Sequence, residues 1–266
     1  MIIRKLKYRE IDVLKGFPPE EWHFDIISFM KLHFGKNYFF PLVAENSGEI
    51  VGVGNGIYTG RSAWLGNIIV REDERGRGIA TRITQSLLNN LQKMNCTSFL
   101  LIATKQGEPL YRKLGFETTD HYHFFKITKP MPPPEQSHIR NIAGVNTEML
   151  LKLDRLATSE DRQELLSEFT GKGFLFSKHD ANGFYLSDFD QGLIVANKPE
   201  AGLSLLQLKV SMGTQSVVIP DKNTTALEFM VQMGYRSHGS APRMLLGDPL
   251  NWKPEYIYSR AAGYCG

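Results

Sequence analysis

Apolar residues in the first half of the chain alternate between short strand-like runs and stretches with a helical period. In the segment 78–94, Ile79, Ile83, Leu87 and Leu91 recur every four residues, which places them on one face of a helix. The same criteria predict strands over 2–7, 39–44, 50–58, 62–70, 99–104 and about 121–127, and helices over 20–34, 78–94 and 108–114.

The second half of the chain repeats the later part of this order. Its pattern predicts strands over 184–187, 193–196, 216–219 and about 243–246, and helices over 200–212 and 224–233. In each half the last helix ends in a glycine followed by an aromatic residue, Gly115-Phe116 and Gly234-Tyr235. The sequence therefore predicts an α/β chain with a mixed sheet (α+β), built from a duplicated unit.

A proline-rich segment separates the two halves. Four of the 13 prolines fall within five residues, at positions 130 and 132–134. Such a run fits neither a helix nor the interior of a sheet, and it forms a stiff, extended spacer. We therefore expect a first domain over 1–129, a linker over 130–137 and a second domain over 138–266. A long loop inside a single domain is the alternative.

Composition restricts the class of protein. With 266 residues, 42% of them hydrophobic and 22% charged, the chain is large enough to bury one or two ordinary cores. Two cysteines are too few for a disulfide-supported fold, and they favour a reducing compartment. The longest apolar run has five residues, whereas a membrane span needs about 20. We expect a cytoplasmic protein without a signal peptide.

The distribution of charge is uneven. The net charge of +3 is too small to indicate a nucleic-acid partner. Residues 1–129 contain 18 basic and 13 acidic side chains, a net charge of +5, which leaves 13 and 15, a net charge of −2, for residues 130–266. A mildly basic first half suits an anionic small ligand, although random variation of the surface accounts for it equally well.

The turn before the long helix carries the strongest chemical signal. An apolar strand ends at Val70, a polar turn with Gly76 and Gly78 follows, and the helix then begins. The first N–H groups of a helix lack intrahelical partners and carry partial positive charge, so they can hold a phosphate or pyrophosphate. Arg75 and Arg77 add positive charge beside them. A strand-to-helix turn that contains glycine only for packing is the alternative interpretation.

Two familiar phosphate-binding patterns do not fit this turn. The dinucleotide fingerprint requires glycine or alanine three residues after Gly78, where Thr81 stands. The nucleotide P-loop requires Gly-Lys followed by serine or threonine, which is absent. Neither pattern identifies the ligand.

A third pattern fits better. The segment Arg75-x-x-Gly78-x-Ala80 resembles the acyl-CoA signature of the GCN5-related N-acetyltransferases (GNAT family). After the strand predicted over 99–104, the segment Tyr111-x-x-x-Gly115-Phe116 resembles a second segment of that family. The two segments stand in the family's order and context, and the resemblance covers about residues 1–128.

The resemblance implies a GNAT fold that uses acetyl-CoA, with direct attack of an amine on the thioester. Two parallel strands would separate, with a bulge at Gly66-Asn67, and pantetheine would pair with the opened strand. A backbone N–H of that strand would stabilise the carbonyl oxygen, and Tyr111 would protonate the leaving thiolate. The alternative interpretation is that Tyr111 only packs its ring as a side chain of an amphipathic helix. The implied donor-binding residues are Ile68, Ile69 and Val70 for pantetheine, and Arg75, Gly76, Arg77, Gly78, Ile79, Ala80 and Thr81 for the pyrophosphate.

The acceptor side departs from the family pattern. No glutamate stands in the strand 62–70, so the general base stays unassigned. Asn67 would orient a water or the substrate, or would only complete the bulge. Glu21 and Asp25, on the helix that borders the acceptor site in the family, are candidate substrate residues. Further candidates, which would line the acceptor pocket, are Tyr58, Trp64 and Tyr122. Aromatic residues on strands more often belong to the core.

The second half is similar to an acetyltransferase-like repeat that some members of the family carry. Aligning Gly234-Tyr235 with Gly115-Phe116 puts Met230 opposite Tyr111, and a thioether cannot donate a proton. Pro199 stands where the arginine of the signature would be, and proline lacks an amide donor. We expect the second domain to bind no CoA and either to wall the acceptor cleft or to serve as a structural partner.

These features lead to hypotheses of different classes. The first is an enzyme that transfers an acetyl group from acetyl-CoA to the primary amine of a small acceptor, without nucleic-acid or membrane partners. The alternative is a non-catalytic acyl-CoA sensor or assembly protein, which the missing glutamate and the altered second half favour. A longer acyl donor is a third interpretation. No metal is expected, because His121 and His123 on one strand face lack a third ligand.

Overall fold

The computed structural model describes residues 1–135, 137–143 and 147–266. Gln136, within the predicted linker, lies outside the described residues. The chain divides into two compact units, Met1–Leu101 with Cys265, and Ile102–Tyr264 with Gly266. In the described part of the chain, no helix is both long enough and apolar enough to cross a membrane. Within the same residues, no group of three or more His, Cys, Asp or Glu side chains is placed to hold a metal ion.

The first unit is built on five strands and two α-helices. Its elements are β1 (Ile2–Lys5), α1 (Ile26–His33), β2 (Phe39–Asn46), β3 (Glu49–Thr59), β4 (Ser62–Val70), α2 (Ile79–Gln92) and β5 (Ser98–Ile102, whose last residue falls in the second unit). Short 3-10 helices cover Tyr8–Leu14, Glu20–Trp22 and Glu72–Glu74. Neighbouring strands pair in chain order, antiparallel from β1 to β4 and parallel between β4 and β5. The predicted strands of this unit are confirmed, and β4 has the predicted ends.

The helix predicted over 20–34 is interrupted. His23 adopts a left-handed backbone with φ of 47°, which ends the 3-10 helix before it. Asp25 then caps α1, because its carboxylate accepts hydrogen bonds from the N–H groups of Ile27 and Ser28 at 3.1 Å. The apolar period runs across this break without a gap, so the period alone predicted one helix.

Helix α2 lies close to β3 because β3 has glycine at alternate positions. A Cβ atom on Gly54 would lie 2.7 Å from Cγ2 of Ile83, so any larger residue would push the helix away. The buried residues of α2 are Ile79, Ile83, Thr84, Leu87, Leu88 and Leu91. Burial of each such aliphatic side chain contributes about 1.5–3 kcal/mol to stability. This packing fixes the first turn of α2 against the sheet.

The second unit contains the remaining elements. They are α3 (Glu108–Lys113), β6 (Glu117–Lys126), β7 (Ile139–Asn141), α4 (Glu148–Thr158), α5 (Gln163–Ser167), β8 (Phe174–Lys178), β9 (Ala181–Leu186), β10 (Leu193–Ala196), α6 (Pro199–Ser211), β11 (Ser216–Pro220), α7 (Thr224–Gln232), β12 (Ser237–Gly247) and β13 (Ile257–Ser259). One sheet has the order β13-β10-β9-β8-β7. The sequence pattern did not predict β7, α4, α5, β8 or β13, which surround the predicted elements.

Strand β6 pairs on both edges with strands from the second half of the sequence. Asp120 lies opposite Arg243 of β12, and Tyr122 lies opposite Pro220 of β11, both in antiparallel pairing. The two compact units accordingly meet in the sequence between Leu101 and Ile102 rather than in the proline-rich segment. The boundary over 130–137 stays a prediction. Because β6, from the first half of the sequence, pairs with β11 and β12 from the second half, we infer that the two sequence halves fold together.

A chain that ends at residue 129 should therefore fail to fold. It would leave both edges of β6 without a partner, and an unpaired, partly apolar strand promotes aggregation. We expect the truncated chain to be insoluble or to lack a cooperative thermal transition by circular dichroism. Co-expression with residues 130–266 should restore a soluble complex. A soluble monomer of residues 1–129 that melts cooperatively would contradict the mutual dependence of the two halves.

Candidate active site

The turn between β4 and α2 exposes backbone amides at the start of a helix. Gly76 and Gly78 have positive φ values of 78° and 74°, which side chains other than glycine rarely adopt. Gly78 is the N-cap, and the N–H of Arg82 donates to its carbonyl at 3.1 Å. The N–H groups before Arg82 have no acceptor within the helix; they belong to Ile79, Ala80 and Thr81. The turn is therefore suited to an anion, since it combines these donors with the helix dipole.

The three arginines of this turn differ in their partners. Arg77 donates to Glu74 at 2.8 Å, and Arg71 donates to Asp73 at 2.7 Å. Arg75 donates from Nε to the carbonyl of the last residue of β4 at 3.2 Å, and no described carboxylate pairs with it. Its charge is thus left for an incoming anion, whereas the charges of Arg71 and Arg77 are already offset.

Strand β4 loses its parallel neighbour part-way along its length. Its pairing with β5 stops at Trp64, which lies opposite Leu100. The strand itself continues to Val70, and in the first unit no strand pairs with this edge beyond Trp64. The separation predicted for these two strands is confirmed, and it leaves backbone donors and acceptors along one edge of β4.

The hydrogen-bond pattern identifies which residues face that open edge. The N–H of Arg71 donates to the carbonyl of Val51 at 2.9 Å, so Arg71 faces β3. Successive residues of a strand direct their backbone groups to opposite edges. Those of Ile68 and Val70 therefore face the open edge, and those of Ile69 face β3. Of the three residues predicted to contact pantetheine, two have the orientation for backbone pairing.

A β-bulge lies where the strands separate, which confirms the bulge predicted at Gly66-Asn67. Between the pairs Asn55↔Gly66 and Val53↔Ile69, β4 has one residue more than β3. Asn67 has φ of 52°, and its Nδ2 donates to Oδ1 of Asn55 at 2.9 Å. Asn55 was not predicted, and its signal in the sequence is a single amide side chain inside a glycine-rich buried strand.

Tyr111 lies on α3 in the second unit. Its ring contacts Phe116 edge-on, with centroids 5.9 Å apart, and the helix ends at Gly115, where φ is 92°. Among the described residues its hydroxyl has no hydrogen-bond partner. Burial raises the pKa of Tyr111 to about 12. The phenol is therefore neutral near pH 7 and can act as a hydrogen-bond donor.

Comparison with known proteins identifies the family. Residues 9–127 match the family described as acetyltransferase (GNAT) domain. The uncharacterized N-acetyltransferase YitH of Bacillus subtilis is 21% identical over 210 residues, which cover 74% of either chain. The mouse thialysine N-epsilon-acetyltransferase is 33% identical over 100 residues, 31% of this chain and 58% of that protein. A crystal structure from Pyrococcus horikoshii, of a protein whose acetyltransferase activity is itself inferred, has a TM-score of 0.84 at 22% identity and covers 100% of this chain and 95% of its own.

Residues 9–127 of this chain form a GNAT acetyltransferase domain. The general reaction of such a domain is acyl transfer from acetyl-CoA, and the comparisons support an acyltransferase enzyme. The expected GNAT fold with a mixed sheet is confirmed as well. A solved structure that aligns with the whole chain agrees with the tandem arrangement.

The acceptor candidates of this acetyltransferase have different surroundings. Asp25 also accepts a hydrogen bond from Oγ of Ser28 at 2.6 Å, and this bond holds the pKa of its carboxyl below the usual range. A carboxylate engaged in this way is a weak base, whereas Glu21 is exposed. Trp64 and Tyr122 are 1% exposed and belong to the cores of their own units. Two residues are half-buried, Tyr58 and Asn67.

The second unit repeats the helix end on which Tyr111 lies, with different chemistry. The N–H of Tyr235 donates to the carbonyl of Met230 at 3.0 Å, as the N–H of Phe116 donates to the carbonyl of Tyr111. Gly234 has φ of 87°, and Met230 is fully buried. The alignment made from the sequence thus has the same local geometry in both places. Met230 supplies no proton at the position equivalent to that of Tyr111.

Strand β13 fills the part of the second unit that corresponds to the open edge of β4. It pairs with β10 through Ser259, and the N–H of Arg260 donates to the carbonyl of Val218 in β11 at 2.9 Å. The ring of Tyr258 packs on α6, where a Cβ atom at Gly202 would lie only 2.2 Å from it. A segment of the chain itself therefore occupies the space between β10 and β11.

The turn at α2 predicts different roles for its arginines. We expect Arg75→Gln to weaken acetyl-CoA binding by about tenfold or more, because a hydrogen bond to a charged group contributes about 1.5–3 kcal/mol. Arg77→Gln, the matched control, should have a smaller effect because Glu74 already offsets its charge. Isothermal titration calorimetry at two salt concentrations measures both. Equal losses for the two variants would contradict the assignment to Arg75.

Because β13 occupies the space between β10 and β11 in the second unit, we expect each chain to bind one acetyl-CoA. Calorimetric titration of the full chain should give a stoichiometry of one. Arg75→Gln should weaken that single event, whereas Lys198→Gln, at the turn before α6, should leave it unchanged. A stoichiometry of two, or a loss caused by Lys198→Gln, would mean that the second unit binds the donor.

Proposed function

We propose that this acetyltransferase moves the acetyl group of acetyl-CoA directly to the primary amine of a small acceptor. The observation that carries the proposal is the unpaired edge of β4, which leads along the chain into the anion-binding turn at α2. The edge suits the amides of pantetheine, as an added strand would, and the turn suits the pyrophosphate. The mouse relative is named as an N-epsilon-acetyltransferase of thialysine, which supports an amine as the acceptor.

The donor would contact two sets of backbone groups. In the first, Ile68 presents its N–H and C=O groups and Val70 its N–H group to the pantetheine arm, while Ile69 holds the strand on β3. The carbonyl of Val70 accepts from Nε of Arg75 instead. In the second, the free amides at the start of α2 hold the pyrophosphate, and Arg75 adds a charge-assisted contact. The residues proposed for this second set are Arg75, Gly76, Arg77, Gly78, Ile79, Ala80 and Thr81.

The chemistry would be one addition followed by one elimination. The lone pair of the neutral amine forms a bond to the thioester carbonyl carbon, and negative charge develops on the carbonyl oxygen. A backbone N–H of β4 near the bulge stabilises that charge. The C–S bond then breaks, the amide product loses the extra proton of its nitrogen, and the thiolate of CoA gains a proton. No covalent enzyme intermediate is formed.

We assign the proton that reaches the thiolate to Tyr111. Its hydroxyl has no other hydrogen-bond partner among the described residues, and burial raises its pKa to about 12, so the phenol is protonated near pH 7. The proton lost by the amine restores the phenol by way of solvent or a base. Glu21 suits the role of base better than Asp25, because the carboxylate of Asp25 is committed to capping α1.

The assignment of Tyr111 predicts a selective loss of turnover. Tyr111→Phe should lower kcat by about 10²–10⁴-fold, the contribution expected of a general acid, while acetyl-CoA affinity stays within a factor of about two. The measurement is release of the CoA thiol with a panel of amines that includes lysine analogues, polyamines, amino acids and amino sugars.

Tyr8→Phe is the matched control, because Tyr8 is 60% exposed and should tolerate the loss of its hydroxyl. Unchanged kcat in Tyr111→Phe would remove this residue from the mechanism. Binding of acetyl-CoA without acetylated product from any amine of the panel would refute the proposed class of acceptor.

A further inference from the structure

Asn55 is a polar side chain in an apolar setting. It is 0% exposed, and its neighbours on the same face of β3, Val53 and Ile57, are also fully buried. Its side chain has one described hydrogen bond, which Oδ1 accepts from Asn67, and within the described residues Nδ2 has no partner. A leucine of similar shape would avoid the burial of an unpaired amide donor. The position of Asn55 is therefore not explained by packing.

The partner of Asn55 has an unfavourable backbone. Asn67 has φ of 52°, in the left-handed region that residues with a side chain disfavour. Asparagine tolerates this region better than most residues, especially where its side chain is held by a hydrogen bond. The bond from Asn67 to Asn55 is such a restraint, and it joins the bulged strand to the strand beside it.

The bulge determines which backbone groups face the open edge of β4. Gly66 pairs with Asn55 and so faces β3, and without an extra residue the alternation would turn Asn67 and Ile69 to the open edge. With the bulge, Ile69 pairs with Val53, and Ile68 is turned to the open edge instead. A shift of one residue exchanges the two edges for every later position of the strand.

We infer that Asn55 is a positioning residue for acyl-CoA, which rests on the proposed function. Its buried amide holds Asn67 in the left-handed bulge, and the bulge aims the backbone groups of Ile68 and Val70 at the donor. Asn55 itself touches neither the donor nor the acceptor. Its role is to fix the register of the strand that does, so that the edge is ready before acetyl-CoA arrives.

This role predicts that a substitution at Asn55 weakens acetyl-CoA binding without lowering the thermal stability of the protein. Asn55→Leu removes the restraint on Asn67, so acetyl-CoA affinity should fall by about tenfold, the size of the preference against a left-handed residue. The same change removes a buried unpaired donor, so the melting temperature should stay equal or rise. A residue with a purely structural role would lower the melting temperature along with the affinity.

A second variant tests the route through Asn67. Glycine adopts positive φ without a restraint, so Asn67→Gly makes the bulge independent of Asn55. Whatever affinity Asn67→Gly retains, adding Asn55→Leu should change it by less than about threefold, because the coupling between the two sites is then gone. Asn67→Ala removes the same hydrogen bond by changing its half-buried partner. This variant replaces Asn55→Leu in the experiment if Asn55→Leu does not fold.

The experiment is calorimetric titration of the full chain and these variants with acetyl-CoA, together with thermal melts. Tenfold weaker binding in Asn55→Leu, an unlowered melting temperature and a lost effect in the Asn67→Gly background are the expected results. Wild-type affinity in Asn55→Leu, or an equal loss in both backgrounds, would overturn the inference alone. Absence of acetyl-CoA binding by the wild-type chain would overturn the proposed function and this inference with it.

Discussion

Along the second half of β4, one edge of backbone N–H and C=O groups has no neighbouring strand in the first unit. Beyond Trp64 the strand keeps β3 on one side but loses β5 on the other, so in the first unit no strand pairs with its outward N–H and C=O groups. Of these groups, the carbonyl of Val70 accepts from Nε of Arg75. Unpaired strand edges attract other strands and are usually blunted or covered. Here the edge leads into the glycine turn at α2, which offers further unpaired amides. An extended ligand with amides at one end and phosphates at the other complements both features.

In the second unit the chain itself fills the equivalent gap. The space between β10 and β11 is filled by β13, whose residues pair with β10 on one side and contact β11 on the other. α6 begins with proline, which removes one of the amide donors that α2 keeps. One duplicated framework thus has an open edge in one copy and a closed edge in the other.

The sequence pattern predicted the parts of the fold that depend on interactions between residues close together in the chain. The strand β4, the glycine turn and α2 follow from residues that are close together in the chain, and so does the bulge at Gly66-Asn67. The pairing of β6 with β12 joins residues more than a hundred positions apart, and no local signal indicates it. The cap at Asp25 was hidden by an apolar period that continued across it. Asn55 escaped notice because its importance comes from Asn67, on the neighbouring strand.

The C-terminal ends of α3 and α7 have the same backbone geometry but different side chains. Gly115 and Gly234 end their helices with nearly the same φ, 92° and 87°, and the aromatic residue after each donates back to the residue five positions earlier. At these two helix ends the backbone geometry is therefore the same in both copies. The difference lies in the residue that accepts this bond, a phenol at 111 and a thioether at 230. The proton donation proposed for Tyr111 therefore depends on one side chain at a repeated helix end, and substitution of that side chain tests it directly.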